Sequence, residues 1–416
     1  MRVLVVGNGF DLAHYLPTKY TDFLKVAESA QKDFIQNDDG DAAKAQQNKT
    51  RKGLLGQPIS NENLLQRAIM SVVVKFQDYF IDHISKEWKT GRIQQPGTID
   101  HGELTDRILR LFNKKTNELD KYNLAWESLL LKKNIWLQYF LERYDDVKKR
   151  DGWIDFEAEI GKIIKDIEKK AGNRKDAQEL YENPLHGIGL LPEEFEKIYN
   201  KSNKEIFWKQ SIKSMEDDLK QFALALEFYL IILDNIFDAY EGFPKVRYPV
   251  VSNGAFDKLL SFNYTHTYEK YYRDGKPLSD DDKEYIHGEC RKNNLILGIN
   301  DGLAEDEKDK KVLCIAFKKY FQRICYGTGM TYKKWFSNKE DKCEVSIFGH
   351  SLDVTDKDVL AYIIKYAEKV TIFYRDENSH RKQIMNLVKI VGRDNLIKWT
   401  GNGHVEFCEQ GEPQKV

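Results

Sequence analysis

Residues 3–6, Val-Leu-Val-Val, are apolar without a break, and three of the four are β-branched. Such a run predicts a short buried strand. It stops at Gly7-Asn8-Gly9, where the backbone can turn sharply and approach another group with no Cβ in the way. Past Pro17, apolar residues fall at helical spacing (Phe23, Ala27, Ala30, Phe34), which predicts a helix from near Thr21. Residues 37–62 are rich in Asn, Asp, Gln, Lys and Gly and predict a surface loop. From 63 to 240 strand signals almost vanish. Helical runs take over at 64–84, 104–112, 124–144, 155–167 and 209–237. Within the last, 222–233 is apolar on nearly every side, as expected at the centre of a helical bundle. Residues 171–205 are polar and mixed, with Pro184 and Pro192 interrupting any long helix.

After Pro244 short apolar runs return, at 258–262, 284–287, 295–297, 345–348, 370–374 and 396–399. Between two of them, 355–367 places Leu360, Ile363, Ile364 and Ala367 on one face. It opens with Thr355-x-x-Asp358, the form of a capping box with Asp in place of Glu or Gln. Strand, helix and strand at this spacing predict right-handed crossovers and a parallel sheet. The expected architecture is therefore α/β: a Rossmann-like, mostly parallel sheet built from residues 1–36 and 245–416. A large helical insertion, residues 37–244, follows the first strand.

Composition narrows the function classes. At 416 residues the chain can hold two domains, or one with a large insertion. Its 65 Lys and Arg against 66 Asp and Glu leave a net charge of −1, so a nucleic-acid or anionic-membrane partner is not expected. The N-terminus opens on a strand with no basic region or apolar signal core. The most hydrophobic stretch, 222–233, is too short to span a bilayer and contains Glu227. Five cysteines (Cys290, Cys314, Cys325, Cys343, Cys408) are odd in number and widely spaced, with no Cys-x-x-Cys. They predict neither a zinc ribbon nor a disulfide framework, and a cytoplasmic protein.

The chemistry-bearing residues cluster where strands end. Four such ends are Gly7-Asn8-Gly9-Phe10-Asp11, Ser261-Phe262-Asn263-Tyr264-Thr265-His266, Ile286-His287-Gly288-Glu289 and Phe348-Gly349-His350-Ser351-Leu352. Singly, each has a plain explanation. Asn263 after a strand is an ordinary turn former, and His287 before a glycine an ordinary structural histidine. In an open α/β sheet, however, the carboxyl ends of the strands share one edge, so all four converge on one crevice. A strand, a Gly-x-Gly turn and a helix start together make a phosphate cradle. The third glycine of the dinucleotide fingerprint is absent, Leu12 standing in its place.

The opening stretch Gly7-Asn-Gly-Phe-Asp-Leu-Ala-His-Tyr-Leu-Pro-Thr-Lys-Tyr20 resembles the signature of the AbiH family of bacterial phage abortive-infection proteins. So do Trp153-Ile-Asp-Phe-Glu157, Ser261-Phe-Asn-Tyr-Thr265, Ile286-His-Gly288, Leu297-Gly-Ile-Asn-Asp301 and Phe348-Gly-His-Ser-Leu-Asp353 with Asp356. A more distant resemblance is to sirtuin-like NAD-consuming domains of anti-phage proteins, which share a Gly-x-Gly strand end, a later Asn-Tyr and a still later His-Gly. It implies NAD or NADP as substrate, hydrolysed at the nicotinamide–ribose bond. The glycine loop would hold the pyrophosphate, with Asn263 and His287 facing the nicotinamide ribose as catalytic residues. Gly7, Asn8, Gly9, Phe10, Asp11, Thr18, Tyr264, Gly288, Gly349, His350 and Ser351 would line the nucleotide. This chain departs from that pattern at Asn8, where Ala is usual, and at Phe10, where a small Ser is usual. The zinc module of deacetylating sirtuins is absent, so deacylation is not implied.

The side-chain chemistry fits these roles. Asn263 offers both a donor and an acceptor to a water or to ribose hydroxyls, and His287, titrating near neutrality, can take a proton from either. Asp11 either bonds a ribose hydroxyl or holds its loop, with the loop favoured. His350 either faces the nucleotide or pairs with Asp356. Trp153 is expected in the core, and Asp155 and Glu157 as caps of a helix. His14 and His266 lack supporting ligand spacing, so no metal is expected. The expected partners are a small-molecule nucleotide, a phage or host protein as trigger, and a second copy of the chain. The alternative is a non-catalytic nucleotide-binding sensor. A nuclease is disfavoured by the neutral charge and by the lack of a carboxylate cluster suited to two metals.

Overall fold

The computed structural model describes residues 1–45, 61–79, 100–112, 119–130, 134–148, 156–171, 204–240, 243, 245–299, 314–337 and 342–415. Strand β1 (Arg2–Val6) is the centre of a six-stranded, wholly parallel sheet. With β2 (Val246–Arg247) set aside, its members are β3 (Lys258–Ser261), β4 (Lys283–Tyr285), β5 (Glu344–Phe348), β6 (Lys369–Tyr374) and β7 (Val405–Glu409). They lie in the order β4-β3-β1-β5-β6-β7. Val5 stands opposite Leu260 on one side and Ile347 on the other. Residues Val3 to Val6 are all buried because both faces of the strand are covered, which is why the run is apolar without alternation. Val3 and Val5 join a core with Ile347, Val359, Leu360, Ile363 and Ile364, whereas Leu4 and Val6 face Phe10, Tyr248 and Phe348. β2 pairs antiparallel with β8 (Gln414–Lys415) apart from the main sheet.

Between β1 and β2 the described chain is helical: α1 (Asn8–Ala13), α2 (Tyr20–Ala45), α3 (Asn61–Tyr79), α4 (His101–Phe112), α5 (Leu119–Leu130), α6 (Ile135–Lys148), α7 (Phe156–Ala171) and α8 (Lys204–Ala239). α8 is the axis of this region. Its residues Phe228 to Leu233 are buried in succession, with Phe23, Tyr122, Trp126, Phe140 and Phe156 packed around it. Each such side chain contributes about 1.5–3 kcal/mol of burial. This core runs on into Leu295, Leu297, Ile299, Cys314 and Phe317, so the helices pack on the chain that follows β4. No helix of the described residues is long and apolar enough to cross a membrane.

The remaining helices are α9 (Pro249–Ser252), α10 (Thr267–Tyr272), α11 (Lys319–Tyr326), α12 (Lys357–Tyr366), α13 (Glu377–Val391) and α14 (Arg393–Gly401). Several local expectations are overturned. Residues 37–45, read as loop from their polarity, continue α2 to Ala45, where Ala42, Ala43, Lys44 and Ala45 are strong helix formers. Residues 396–399 belong to α14, not a strand, because a four-residue apolar run fits either period. The last strand is instead β7, paired with β6. Residues 295–297 form no strand; only Ile299 bridges to Lys318. The Thr355-x-x-Asp358 box does not form. Asp353 accepts from the Thr355 N–H, and a short 3₁₀ turn (Val354–Asp356) leads into α12.

Candidate functional site

The sheet order reverses at β1 and β5, so the edge at their carboxyl ends is the topological switch point of the fold. The turns after these two strands are pressed together there. Gly7 N–H donates to Phe348 O at 3.2 Å and Gly9 N–H to Gly349 O at 2.8 Å. A Cβ on Gly7 would meet His350 Cα at 2.8 Å, and one on Gly9 would meet Gly349 O at 2.7 Å. Gly349 itself has φ of +67°, and a Cβ there would lie 2.1 Å from Phe10 N. The close backbone approach that these glycines permit is thus to each other's loops. Phe10 turns into the core against His14, Tyr272 and Phe348.

The turn after β3 joins this edge through Asp11. Thr265 Oγ1 donates to Asp11 Oδ2 at 2.6 Å and lies 3.0 Å from Thr267 Oγ1. Asp11 is fully enclosed, and burial pushes its carboxyl up to about 6 against the pull of Thr265, Thr267 and Asn263. Asn263 is only 5% exposed; its amide is near enough to Asp11 to pull on that carboxyl, yet neither its nitrogen nor its oxygen has a partner at hydrogen-bond distance among the described residues. Asp11 Oδ1 is in the same condition. A buried polar atom without a partner costs about 1–3 kcal/mol, so three at one spot mark a place shaped for something else. Phe262, just before Asn263, sets its ring 5.5 Å from His287 and 4.3 Å from His350, linking the ends of β3, β4 and β5.

The charged centre of the site is Asp356. His287 Nε2 lies 2.9 Å from its Oδ1, Lys319 Nζ also 2.9 Å from Oδ1, and His350 Nε2 3.6 Å from Oδ2. Lys319 is completely buried and bonds Glu157 of α7 at 2.7 Å and Thr355 O at 3.3 Å as well. An ammonium has three protons, and these three oxygens take them all. His287 Nε2, 3.3 Å from the same ammonium, therefore has no proton to accept from it and donates its own to Asp356. That leaves His287 Nδ1 as the basic nitrogen, with no hydrogen bond among the described residues. In His350 the Leu352 N–H donates to Nδ1 at 2.9 Å, placing the ring proton on Nε2, toward Asp356.

Burial, followed by the charge of Lys319, lowers the His287 pKa, while Asp356 pulls it back up. Burial likewise lowers His350 to about 4. Burial alone would raise Asp356, but Lys319 and then His287 outweigh it and hold that carboxyl well below its usual range. The result is a neutral histidine held by a fixed carboxylate, the pairing that orients an imidazole for proton transfer.

The other residues singled out in the sequence have plainer surroundings. Thr18 Oγ1 donates to Asn8 Oδ1 at 2.6 Å, tying the first turn to the lead-in of α2. Tyr264 OH reaches Ile296 O at 3.3 Å and Tyr20 OH at 3.2 Å. Gly288, with φ of +90°, passes so close to Asn294 that a Cβ would sit 2.1 Å from its carbonyl oxygen. Ser351 is exposed, its carbonyl held by Asn386. His14 fills a cage of Phe10, Tyr248, Tyr271 and Tyr272, and His266 pairs with Glu289. Glu157 does stand in the first turn of a helix, as expected, but its carboxylate faces Lys319. Trp153 and Asp155 lie outside the described residues. Lys319 was not singled out at all, since a lysine beside Lys318 carries no mark in the sequence of its burial.

Sheet order and gathered strand ends define a Rossmann-like α/β protein whose polar site stands at the switch point. The chain belongs to the AbiH family: the model described as Bacteriophage abortive infection AbiH matches residues 3–376. That places it among phage abortive-infection proteins. No curated protein and no solved structure matches it.

Proposed function

We propose that this abortive-infection protein binds NAD or NADP at the switch point and hydrolyses the bond between nicotinamide and ribose. The observation that carries the proposal is Asn263, buried with both amide atoms unpartnered, on the edge where the His287–Asp356 pair stands. A ribose hydroxyl or an attacking water supplies the partners that Asn263 and Asp11 Oδ1 lack. In the reaction the C–N bond breaks and its electron pair leaves with nicotinamide, which becomes neutral. Water adds to the anomeric carbon, and its proton passes to His287 Nδ1 and on to solvent. Asp356 keeps the imidazole oriented and stabilises the imidazolium formed. The purified protein, alone and with extract of phage-infected cells, is incubated with each dinucleotide while nicotinamide release is followed. Asn263→Ala and His287→Ala are expected to lower release by about 100-fold or more. Intact dinucleotide under every condition overturns the proposal, and undiminished release by both variants overturns the residue assignment.

A second reading is a nucleotide-binding sensor without catalysis, and it shares with the first the need to hold the pyrophosphate by donors other than the first turn. The Gly7 and Gly9 N–H groups are already bonded to Phe348 O and Gly349 O, so they add nothing to a phosphate cradle. Binding of dinucleotide without release of nicotinamide would favour it.

A further inference from the structure

The proposal above makes His287 the proton acceptor; what keeps it neutral and correctly turned is a separate matter. Four elements deliver charge to this point. Asp356 and the Thr355 carbonyl come from the turn before α12, Lys319 and Arg323 from α11, His350 from the turn after β5, and Glu157 from α7. Tyr264 closes the remaining side, its ring 6.4 Å from the imidazole. Lys319 is the only cation among the described residues placed within hydrogen-bond distance of both Glu157 and Asp356.

We propose that Lys319 is the positioning residue of this site, fixing the proton of His287 on Nε2 and holding the ring neutral, with Glu157 of the helical region as its second counter-charge. The argument is one of donors and distances. Lys319 fills Asp356 Oδ1 from one side at 2.9 Å, and His287 shares that oxygen from the other at 2.9 Å. An ammonium 3.3 Å from Nε2 also opposes a second positive charge on the ring. Glu157 divides the attention of Lys319. Without it, the full positive charge turns on Asp356 and the histidine. The state of a residue at the sheet edge is in this way coupled to the docking of α7, a helix inserted between β1 and β3.

The test rests on the His287 reading but does not depend on turnover. Full-length protein labelled in its histidines is titrated, and long-range ¹H–¹⁵N spectra report the tautomer and pKa of each ring, His287 being assigned by loss of its signals in His287→Gln. The wild type is expected to show the Nε2–H form, titrating below the ordinary value of about 6.5. The charge-balanced pair Lys319→Met with Glu157→Gln removes a plus and a minus together and leaves Asp356 Oδ1 to His287, with His350 still facing Oδ2. His287 should then titrate at least about one pH unit higher, a tenfold gain in proton affinity. Glu157→Gln alone, which keeps the lysine, should move it lower. If the double variant does not fold, the single one decides. An unchanged His287 titration in the folded variants overturns the assignment. Nicotinamide release by the same wild-type sample separates the two ideas. Release absent both with and without extract of phage-infected cells, with the titration moved, sinks only the nucleotide proposal; release present with the titration unmoved sinks only the role of Lys319.

Discussion

Two residues at the switch point show how much of this site is backbone and how much is charge. Gly349 combines a left-handed φ with a neighbour at 2.1 Å, whereas Gly411 has a similar φ of +72° and nothing within 4 Å of its Cβ direction. Gly411→Ala should cost about 1–2 kcal/mol for the backbone conformation alone. Gly349→Ala should cost about 2 kcal/mol more, because the Gly9–Phe10 peptide has to move aside. Urea unfolding of the two variants checks this, and equal losses would remove the case for close packing of the two turns. Asp11 makes the opposite kind of point. Its carboxyl titrates near 6 in the folded protein and at 3.8 when free, so ionisation opposes folding. The cost is absent below about pH 4, grows up to about pH 6 and is full above it, reaching about 3 kcal/mol. Asp11→Asn should therefore gain stability over the wild type as pH rises through that window. A difference that stays flat between pH 4 and pH 7 would contradict it.

At the scale of elements, the legibility of the chain followed the length of each signal. β1, the core of α8 and the inward face of α12 were all readable, because long or strongly patterned apolar runs leave few alternatives. The run at 396–399 was not, since four residues satisfy strand and helix equally and only the pairing of β7 with β6 decides between them. Caps failed for a related reason. Thr355 and Asp358 have box spacing, but the 3₁₀ turn between them moves the helix start, and Asp353 takes the capping bond instead. The functioning box is at Asp376, whose side chain accepts from Ser379 N–H while Ser379 Oγ accepts from Asp376 N–H. Asp376→Ala should cost about 1 kcal/mol in α13, whose first-turn His380 stacks on Tyr374 of β6, and Asp376→Asn much less. Thermal melts of the two variants distinguish them; equal losses would assign the effect to charge. The candidate site divides in the same way. Strand-end residues such as Asn263 and His287 were visible from Asn and His following apolar runs. Lys319 and the true role of Glu157 come from long-range packing that no local pattern encodes.

For the whole molecule, these buried groups set the response to acid, and their signs differ. His14 and His350 titrate near 4 against an ordinary 6.5, and His287 is also lowered, all three chiefly by burial. Each is neutral in the folded chain and gains its proton earlier in the unfolded one. Their contribution is intact above pH 6.5 and falls away as pH drops toward 4, by about 3 kcal/mol for each of the two given values. Asp11 works the other way over nearly the same span, returning about 3 kcal/mol as it protonates below 6. Two histidines outweigh Asp11, and His287 adds to their side. Burial also raises Asp218, Glu227 and Glu284, which return stability as they protonate. The decline due to the histidines should therefore show between pH 7.5 and 6.0, above the ordinary range of these carboxylates. Asp356, held low by Lys319 and His287, adds its loss only below the ordinary carboxylate range near 3.8. Guanidinium unfolding at pH 7.5, 6.0, 5.0 and 4.5 measures the slope. His350→Gln should flatten it, because a glutamine has no proton to gain. A wild type equally stable at pH 7.5 and 6.0 would mean that the imidazoles at the sheet edge are not held neutral by the fold.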